Sequence, residues 1–387
     1  MKWQQKLFLL KKRKNQQKKK KGKPKWGSFM SKKKGRTILK IENKHIIVSA
    51  IVVLLAMMFI FSLPYLSETM LFSQTEENTS SEKEPEDLFR HPLTGVWGYE
   101  EVIELPHVYG VMIENHIDAR PQAGLDQAFL VIEAPVEAGI SRMIAFYSED
   151  QEVEKIGPVR SARSYYVDWA HELDAMYTHV GGSPEALDQI ATDGTFDLNQ
   201  YWNDDFFWRS SNRNAPHNVY TSTDLLSEAL AYYEGRDRVP NILYGLWHFK
   251  DSQVIIPEKI VGVSIDFSIY DWNLVSWEFD SSLMRYSRFQ KGIPHTMESE
   301  DQIFADNIAI IVTDVEILDE IGRRSVRTIG KGNAFVFQDG LMQEAIWEKP
   351  SLSERLMFYT KEGEEIEMNA GITWIEVVPN EEILTFE

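Results

Sequence analysis

The sequence predicts an α+β protein in which an N-terminal α/β domain precedes a mainly antiparallel β domain, with one transmembrane helix before both. Three observations support this prediction: a long uncharged apolar run, alternating strand and helix signals over 91–240, and short strand-like runs with turn signals over 255–387. The chain has 387 residues, enough for two or three domains. Its hydrophobic content of 43% excludes a wholly disordered protein.

Charge is divided unevenly along the chain. Residues 1–45 hold 18 of the 41 Lys and Arg residues and one acid, Glu42, so the remainder holds 23 basic and 58 acidic residues. The chain contains no Cys, which excludes a disulfide scaffold, a thiolate metal site, a Cys nucleophile and a lipid-anchored cysteine. We therefore expect a basic tail on an otherwise acidic protein.

The predicted transmembrane helix spans residues 46–66, a run of 21 residues without a formal charge. About 20 helical residues cross the hydrocarbon core of a bilayer. Basic residues precede the run and acidic residues follow it, so we expect a cytoplasmic N-terminus and an extracytoplasmic bulk. We interpret the run as the uncleaved signal anchor of a single-pass protein of the cell membrane, with a cleaved signal peptide as the alternative.

The basic tail, residues 1–45, has three interpretations. It can set the topology while lying on anionic lipid headgroups, where each cation contributes about 1 kcal/mol. It can also bind nucleic acid or dock an intracellular partner. We favour the headgroups and expect no nucleic-acid partner, because no base-reading aromatic pattern accompanies the lysines and the acidic bulk would repel phosphates.

A Ser-, Thr- and Glu-rich stretch, 67–90, is predicted to be a flexible linker before the first folded domain. The first domain, 91–240, combines apolar runs suited to buried strands with helix signals. The strand runs are 109–113, 129–132, 142–147 and 176–180, and the helix signals are the periodic run 159–173, the Ser183-Pro184 start and the capping-box-like 221–224. This alternation is typical of α/β proteins.

The second domain, 255–387, has short strand-like runs instead. Apolar and polar residues alternate over 261–267 and 274–279, and 308–312 and 372–378 are nearly continuous apolar runs. Residues 334–347 are predicted to form a hairpin with an Asp-Gly turn. A mainly antiparallel β domain follows from this pattern.

Glycine, proline and charged residues gather between 115 and 220 at predicted strand ends, where α/β sheets usually bind ligands. The basic residues there predict an anion site in the first domain. The candidates are Arg120, Arg142, Arg160, Arg163, His179 and Arg213. We expect this site to belong to a groove that binds a glycan, a peptide or a protein of the cell envelope.

Arg160 and Arg163 carry the sharpest form of this hypothesis. If a helix starts in this segment, they share a face near its N-terminus and can hold phosphate or carboxylate with bidentate bonds. The alternative is that these arginines pair with Glu133 and Glu137 and stabilise the fold. His217, in an Asn-rich loop, is a candidate acid/base or a structural residue.

No catalytic nucleophile can be chosen from the sequence. The nine histidines include no His-x-x-x-His pair, and no phosphate loop, dinucleotide fingerprint or nucleophile elbow is present. We therefore expect no metal or cofactor, except Mg²⁺ if the chain transfers phosphoryl groups. Whether the protein is an enzyme stays open, with binding favoured over catalysis.

The ordered motifs resemble the YerB-like lipoprotein family of Gram-positive bacteria, over roughly 91–380. The matching pieces are 92–95, 119–124, 133–137, 156–163, 179–182 and 215–218 in the first domain, and 286–288, 332–337 and 371–374 in the second. The resemblance implies two domains of unknown function on an extracytoplasmic envelope protein. Because this chain has no Cys, a transmembrane helix must replace the lipid anchor.

A second likeness concerns the order of strands, arginines and a Gly-Gly turn. It is similar to the LytR-CpsA-Psr phosphotransferases, which use arginines and Mg²⁺ on a lipid-linked pyrophosphate. Two hypotheses follow: a membrane-anchored binding or scaffold module of unknown activity, and alternatively a phosphotransferase or phosphoester hydrolase acting on an envelope lipid-linked phosphate. The second rests on order and topology alone.

Overall fold

The computed structural model describes residues 88–236, 239, 242–251, 261–267 and 271–387. The predicted basic tail, the transmembrane helix and the linker up to residue 87 lie outside the described residues. Among the helices in the described ranges, none has the length and apolar character needed to cross a bilayer.

The first part of the described chain combines strands and three helices. In order, its elements are β1 (Phe89–Arg90), β2 (Trp97–Gly98), β3 (Val108–Glu114), β4 (Leu130–Pro135), β5 (Ser141–Ser148), α1 (Ser164–His171), β6 (Met176–His179), α2 (Pro184–Asp193), β7 (Asp197–Asn199), β8 (Trp208–Arg209), β9 (Val219–Tyr220) and α3 (Thr223–Glu234). The four runs predicted as buried strands form β3 to β6, in which every residue is buried.

Side-chain caps explain where two helices begin. Ser183 accepts a hydrogen bond from the Ala186 N–H at the start of α2, with Pro184 in the first helical position. Ser222 caps α3 in the same way by accepting from the Leu225 N–H. Both starts were predicted from the sequence, and the structure confirms them.

The predicted start of the first helix is wrong. α1 begins at Ser164, and residues 159–163 are extended. Two backbone hydrogen bonds keep this segment extended. The Arg160 N–H donates to the carbonyl of Met112, and the Ala162 N–H donates to the carbonyl of Gly181, both at 2.9 Å. Arg160 and Arg163 therefore do not share a helix face.

The second part of the described chain is built of strands. They are β10 (Val263–Asp266), β11 (Leu274–Asp280), β12 (Arg285–Gln290), β13 (Ile293–Pro294), β14 (Phe304–Ala305), β15 (Asn307–Val312), β16 (Val315–Ile317), β17 (Arg324–Val326), β18 (Gly330–Gln338), β19 (Leu341–Lys349), β20 (Met357–Tyr359), β21 (Thr373–Val378) and β22 (Leu384–Phe386). The predicted hairpin is confirmed as β18 and β19. Its two turn residues, Asp339 and Gly340, have φ of 53° and 77°, as a type I′ turn requires.

Strands from both parts join in one ten-stranded sheet of order β20-β19-β18-β15-β21-β4-β5-β3-β6-β7. β21 is parallel to β15 on one side and to β4 on the other, which links the two parts by backbone hydrogen bonds. A smaller sheet has the order β13-β12-β11-β10-β22, with β14 added on β12. In the described residues, strands outnumber helices, so the structure is mostly β with few helices, and the α+β prediction is confirmed only at this coarser level.

Two hydrophobic cores lie on opposite faces of the ten-stranded sheet. Along β3, Met112 enters the first core and Val111 the second, as the period of two in a strand requires. The first core includes Trp169 of α1, and the second includes Leu226 of α3 and Trp277 of the smaller sheet. The sheet is therefore the middle layer of the described structure.

Candidate functional site

Several strand ends meet at one edge of the ten-stranded sheet. β3 ends at Glu114, which pairs in register with Arg142 near the start of antiparallel β5. β4 ends just before Glu137, and the extended segment 159–163 runs along the end of β3. We call Glu114, Glu137, Arg142, Arg160 and Arg163 the charged edge.

Each arginine of the charged edge contacts a protein acceptor. Arg160 donates from Nε to Oε2 of buried Glu114. Arg163 donates from Nε and Nη2 to the two carboxylate oxygens of Glu137 at 2.6 and 2.7 Å, a bidentate pair. Arg142 is buried and donates to a main-chain carbonyl at 2.9 Å. From the sequence, pairing of two of these arginines with Glu133 and Glu137 was an alternative to anion binding. The Arg163–Glu137 contact agrees with that alternative.

Glu114 is the carboxylate of the charged edge that interacts with Arg142, Arg160 and the nearby His217. Burial acts to raise the pKa of its carboxyl, but the neighbouring His217 ring and the charges of Arg142 and Arg160 act more strongly and hold that pKa well below its usual range. His217 Nδ1 lies 3.6 Å from Glu114 Oε2. Glu114 is therefore ionised at neutral pH and balances the arginines around it.

The other predicted anion-binding residues also contact protein acceptors. Arg120 donates to Asn115 (carbonyl 2.8 Å, Oδ1 3.1 Å) and the Trp272 carbonyl (3.0 Å), Arg213 donates to the Asp118 carbonyl and Glu298 (both 3.3 Å), and His179 lies 2.7 Å from the Gly181 carbonyl and 3.2 Å from Asp197 Oδ2. An anion-binding role for the six residues stays a prediction. Their contacts give each of them a stabilising role in the fold.

Glu133 has a partner that sequence reasoning did not choose. Arg288 of β12 donates from Nη2 to Glu133 at 2.6 Å and from Nη1 to Glu376 at 2.8 Å. All three side chains are fully buried. The Arg288 guanidinium also lies over the rings of Trp277 and Trp374, 5.1 and 4.5 Å from their centroids. This network joins the smaller sheet to the large one.

A metal-compatible cluster lies beside the charged edge. His116, Asp118 and His217 each offer one ligand atom, and these atoms lie within 4.8 Å of one another. The two imidazole rings are stacked with centroids 5.2 Å apart. The sequence predicted a chemical role for His217 but did not bring it together with His116, which lies about a hundred residues earlier.

An open cavity lies at the free side of β7, the last strand of the ten-stranded sheet. Its volume is about 800 Å³. We call it the aromatic groove, and its lining is Leu187, Ile190, Ala191, Gly194, Thr195, Phe196, Asp197, Asn199, Tyr201, Trp202, Tyr233 and Val239. Tyr201 and Trp202 were not selected from the sequence, although two aromatic residues in a polar loop were a usable signal.

We expect Arg163→Gln to lower the free energy of unfolding by about 1–3 kcal/mol, because the half-buried Glu137 carboxylate loses two charge-assisted bonds. Chemical denaturation measures the change. Arg327→Gln is the control, since Arg327 pairs with a 73% exposed Asp314 and should cost about 0.5 kcal/mol or less. Equal effects of the two substitutions would contradict a stabilising role for the Arg163–Glu137 pair.

Comparison with known proteins identifies the family. The model described as "Protein of unknown function (DUF3048) N-terminal domain" matches residues 93–235, and that described as "Protein of unknown function (DUF3048) C-terminal domain" matches 263–375. "Putative lipoprotein YerB" of Bacillus subtilis (strain 168) is 32% identical over 294 residues, which are 75% of this chain and 86% of that protein. The crystal structure of YerB from Bacillus subtilis matches with a TM-score of 0.67 at 29% identity, over 77% of this chain and 99% of that one. The chain therefore belongs to the YerB-like (DUF3048) family, whose two domains are of unknown function.

Proposed function

We propose that this chain is a membrane-associated, extracytoplasmic protein of the cell envelope that binds a neutral glycan in the aromatic groove. The observation that carries the proposal is the exposure of Trp202 (81%) and Tyr201 (63%) at a cavity of about 800 Å³. Aromatic residues usually bury most of their surface, so two adjacent exposed rings beside a cavity indicate an interaction site.

The polar lining of the groove suits a sugar. Sugar rings have apolar C–H faces that pack on aromatic rings, and hydroxyl groups that bond to carboxylate and amide groups. Asp197 and Asn199 supply these groups next to Tyr201 and Trp202. A ligand of this class can therefore use both kinds of contact at once.

The charge of the groove favours a neutral ligand. Its lining residues include one acid, Asp197, and no Lys or Arg. The chain beyond the basic tail is strongly acidic. Phosphate-bearing polymers would meet repulsion at this surface, whereas an uncharged glycan would not.

The proposed location is supported by the relative and by the sequence. The Bacillus subtilis relative carries the name "Putative lipoprotein YerB". This chain has no Cys to carry a lipid, but it has the predicted transmembrane span at 46–66. A transmembrane helix would thus anchor the two folded domains on the outer side of the membrane.

We expect the full-length chain, purified in detergent, to sediment with peptidoglycan sacculi stripped of anionic polymers. Trp202→Ala should weaken this binding by about tenfold or more, because the ring that packs on the sugar is lost. Tyr99→Ala is the control, since Tyr99 is 71% exposed but does not line the groove.

Two outcomes would overturn the proposal. One is sedimentation of the Trp202→Ala variant equal to that of the unchanged chain. The other is a Mg²⁺-dependent rise in melting temperature with pyrophosphate and no binding to sacculi, which would favour the phosphotransferase alternative.

A further inference from the structure

We infer that His116, Asp118 and His217 form a binding site for one divalent transition-metal ion of the Zn²⁺ type. Two imidazoles and a carboxylate are a usual ligand set for such ions. Bonds of about 2.0–2.2 Å to a tetrahedral ion place ligand atoms about 3.4 Å apart. The three ligand atoms already lie within 4.8 Å of one another, and rotation of the imidazole rings out of their stacked arrangement would direct the ring nitrogens at one ion.

The contact between His116 and Asp118 determines which of their atoms can bind a cation. His116 Nδ1 accepts a 3.2 Å hydrogen bond from the Asp118 N–H, so the Nδ1 lone pair faces this residue. The same Nδ1 lies 3.7 Å from Asp118 Oδ2. The Asp118 N–H occupies that lone pair, so His116 Nε2 and the Asp118 carboxylate are the atoms that remain to bind an ion. Their side chains are 35% and 74% exposed, so an ion can reach them from solvent.

The third ligand is held in place by its loop. The loop that carries His217 is fastened to the segment of Asp118 by Arg213, which donates to the carbonyls of Asp118 and Pro121. The His217 ring stacks on that of His116 with an interplanar angle of 13°. The distant ligands are thus brought together before any ion binds, which lowers the cost of ordering them.

The surroundings of His217 also suit a metal ligand. Its Nδ1 is buried and has no hydrogen-bond partner within the described part of the chain. Glu114 Oε2 lies 3.6 Å from that atom. A histidine that binds a metal usually donates its other ring N–H to a carboxylate, and Glu114 is placed to accept this bond when Nε2 binds the ion.

Neighbouring cations do not exclude an ion from this position. Arg160 is paired with Glu114, and Arg213 lies 3.3 Å from a carboxylate oxygen of Glu298. Three protein ligands leave a further coordination position for water or an exogenous ligand, as in open zinc sites.

Calorimetric titration of ZnCl₂ into the full-length chain, purified in detergent with a histidine-free tag and stripped of metal, tests the inference. We expect one ion per chain with a dissociation constant of about 10 µM or tighter. His217→Ala and Asp118→Asn should each weaken binding by about tenfold or more. His248→Ala is the matched control, because His248 pairs with Glu365 at 2.8 Å outside the cluster and should bind Zn²⁺ like the unchanged chain.

Asp118→Asn separates loss of a metal ligand from loss of folding. Because the Asp118 side chain is mostly exposed, the melting temperature of this variant without metal should equal that of the unchanged chain. Co²⁺ offers a second readout, because a four- or five-coordinate ion with imidazole ligands gives visible absorption that the variant would lose. No Zn²⁺ uptake by the unchanged chain would overturn the inference. So would uptake that Asp118→Asn and His217→Ala leave unaltered.

Discussion

Replacing Arg288 by Met is expected to lower the free energy of unfolding by about 3–5 kcal/mol, the largest stability loss that we predict for a single substitution. Arg288 is the shared partner of two fully buried carboxylates, those of Glu133 and Glu376. Without the guanidinium, the negative charge of this carboxyl pair stays buried with its main cationic partner removed. Removal of one partner from a buried ion pair costs far more than the pair contributes.

The surroundings of Arg288 strengthen this expectation. Arg288 Nε donates to His295 Nδ1 at 3.1 Å, and His295 Nε2 lies 2.9 Å from Gln122 Oε1. Burial, together with the charges of Arg288 and Arg120, holds the pKa of His295 well below its usual range, so this ring is neutral in the unchanged chain and adds no cation to the network.

Chemical denaturation measures the loss, and Lys361→Met is the control because its ion pair with Glu344 is exposed. If Arg288→Met does not fold, the triple variant Arg288→Met, Glu133→Gln, Glu376→Gln should recover most of the stability, since these three positions then carry no charge. A fully stable single variant, or a triple variant no better than the single one, would contradict the assigned role.

The second large effect concerns pH. Burial and the charge of Glu133 raise the pKa of Glu376 to about 8, although Arg288 acts to lower it. Two carboxylates share one guanidinium, so the folded state keeps a proton that the unfolded chain releases. Oε2 of Glu376 has no hydrogen-bond partner within the described residues, which also disfavours the charged form there.

The sign of the pH dependence follows from this proton. Between about pH 4.5 and 8, the folded state binds more protons at this position than the unfolded state, so the stability that Glu376 contributes is complete below about 4.5 and is lost as pH rises towards 8. At about 1.4 kcal/mol per pKa unit, the shift from 4.5 to about 8 corresponds to a loss of about 5 kcal/mol.

Glu376→Gln should remove this loss. The Gln Oε1 can accept the bonds that Trp277 Nε1 and Arg288 Nη1 donate to Glu376 Oε1, both at 2.8 Å. Denaturation curves at pH 5 and pH 8 should therefore show a smaller decrease for the variant than for the unchanged chain. A parallel decrease for both proteins would rule out Glu376 as the titrating group.

Local signals predicted much of this fold. The apolar runs of β3 to β6, the Ser183 cap and the Asp339-Gly340 turn each depend on residues close in sequence, and the structure confirms them. The predicted start of α1 is wrong because residues 159–163 donate backbone hydrogen bonds to the carbonyls of Met112 and Gly181, and these bonds keep the segment extended. Helical periodicity does not register such long-range bonds.

The candidate sites depended more on distant contacts. Pairing of Arg163 with Glu137 was among the alternatives drawn from the sequence, but Arg288 was not considered as the partner of Glu133, since 155 residues separate them. A sequence shows which residues are charged but not which of them are buried. A carboxylate is paired with a cation mainly where it is buried, so the partner of Glu133 could not be predicted. Likewise, His116 and His217 are about a hundred residues apart and come together only in the fold, so a His-x-x-x-His spacing does not reveal them.

The central claim is that this protein binds through the aromatic groove and that the charged edge serves the fold. Calorimetric titration of chitotetraose into the full-length chain, the Trp202→Ala variant and the Arg163→Gln variant tests it most directly. We predict that the unchanged chain and Arg163→Gln bind with similar affinity, while Trp202→Ala binds about tenfold more weakly or not at all. Full binding by Trp202→Ala together with loss of binding by Arg163→Gln would contradict the claim.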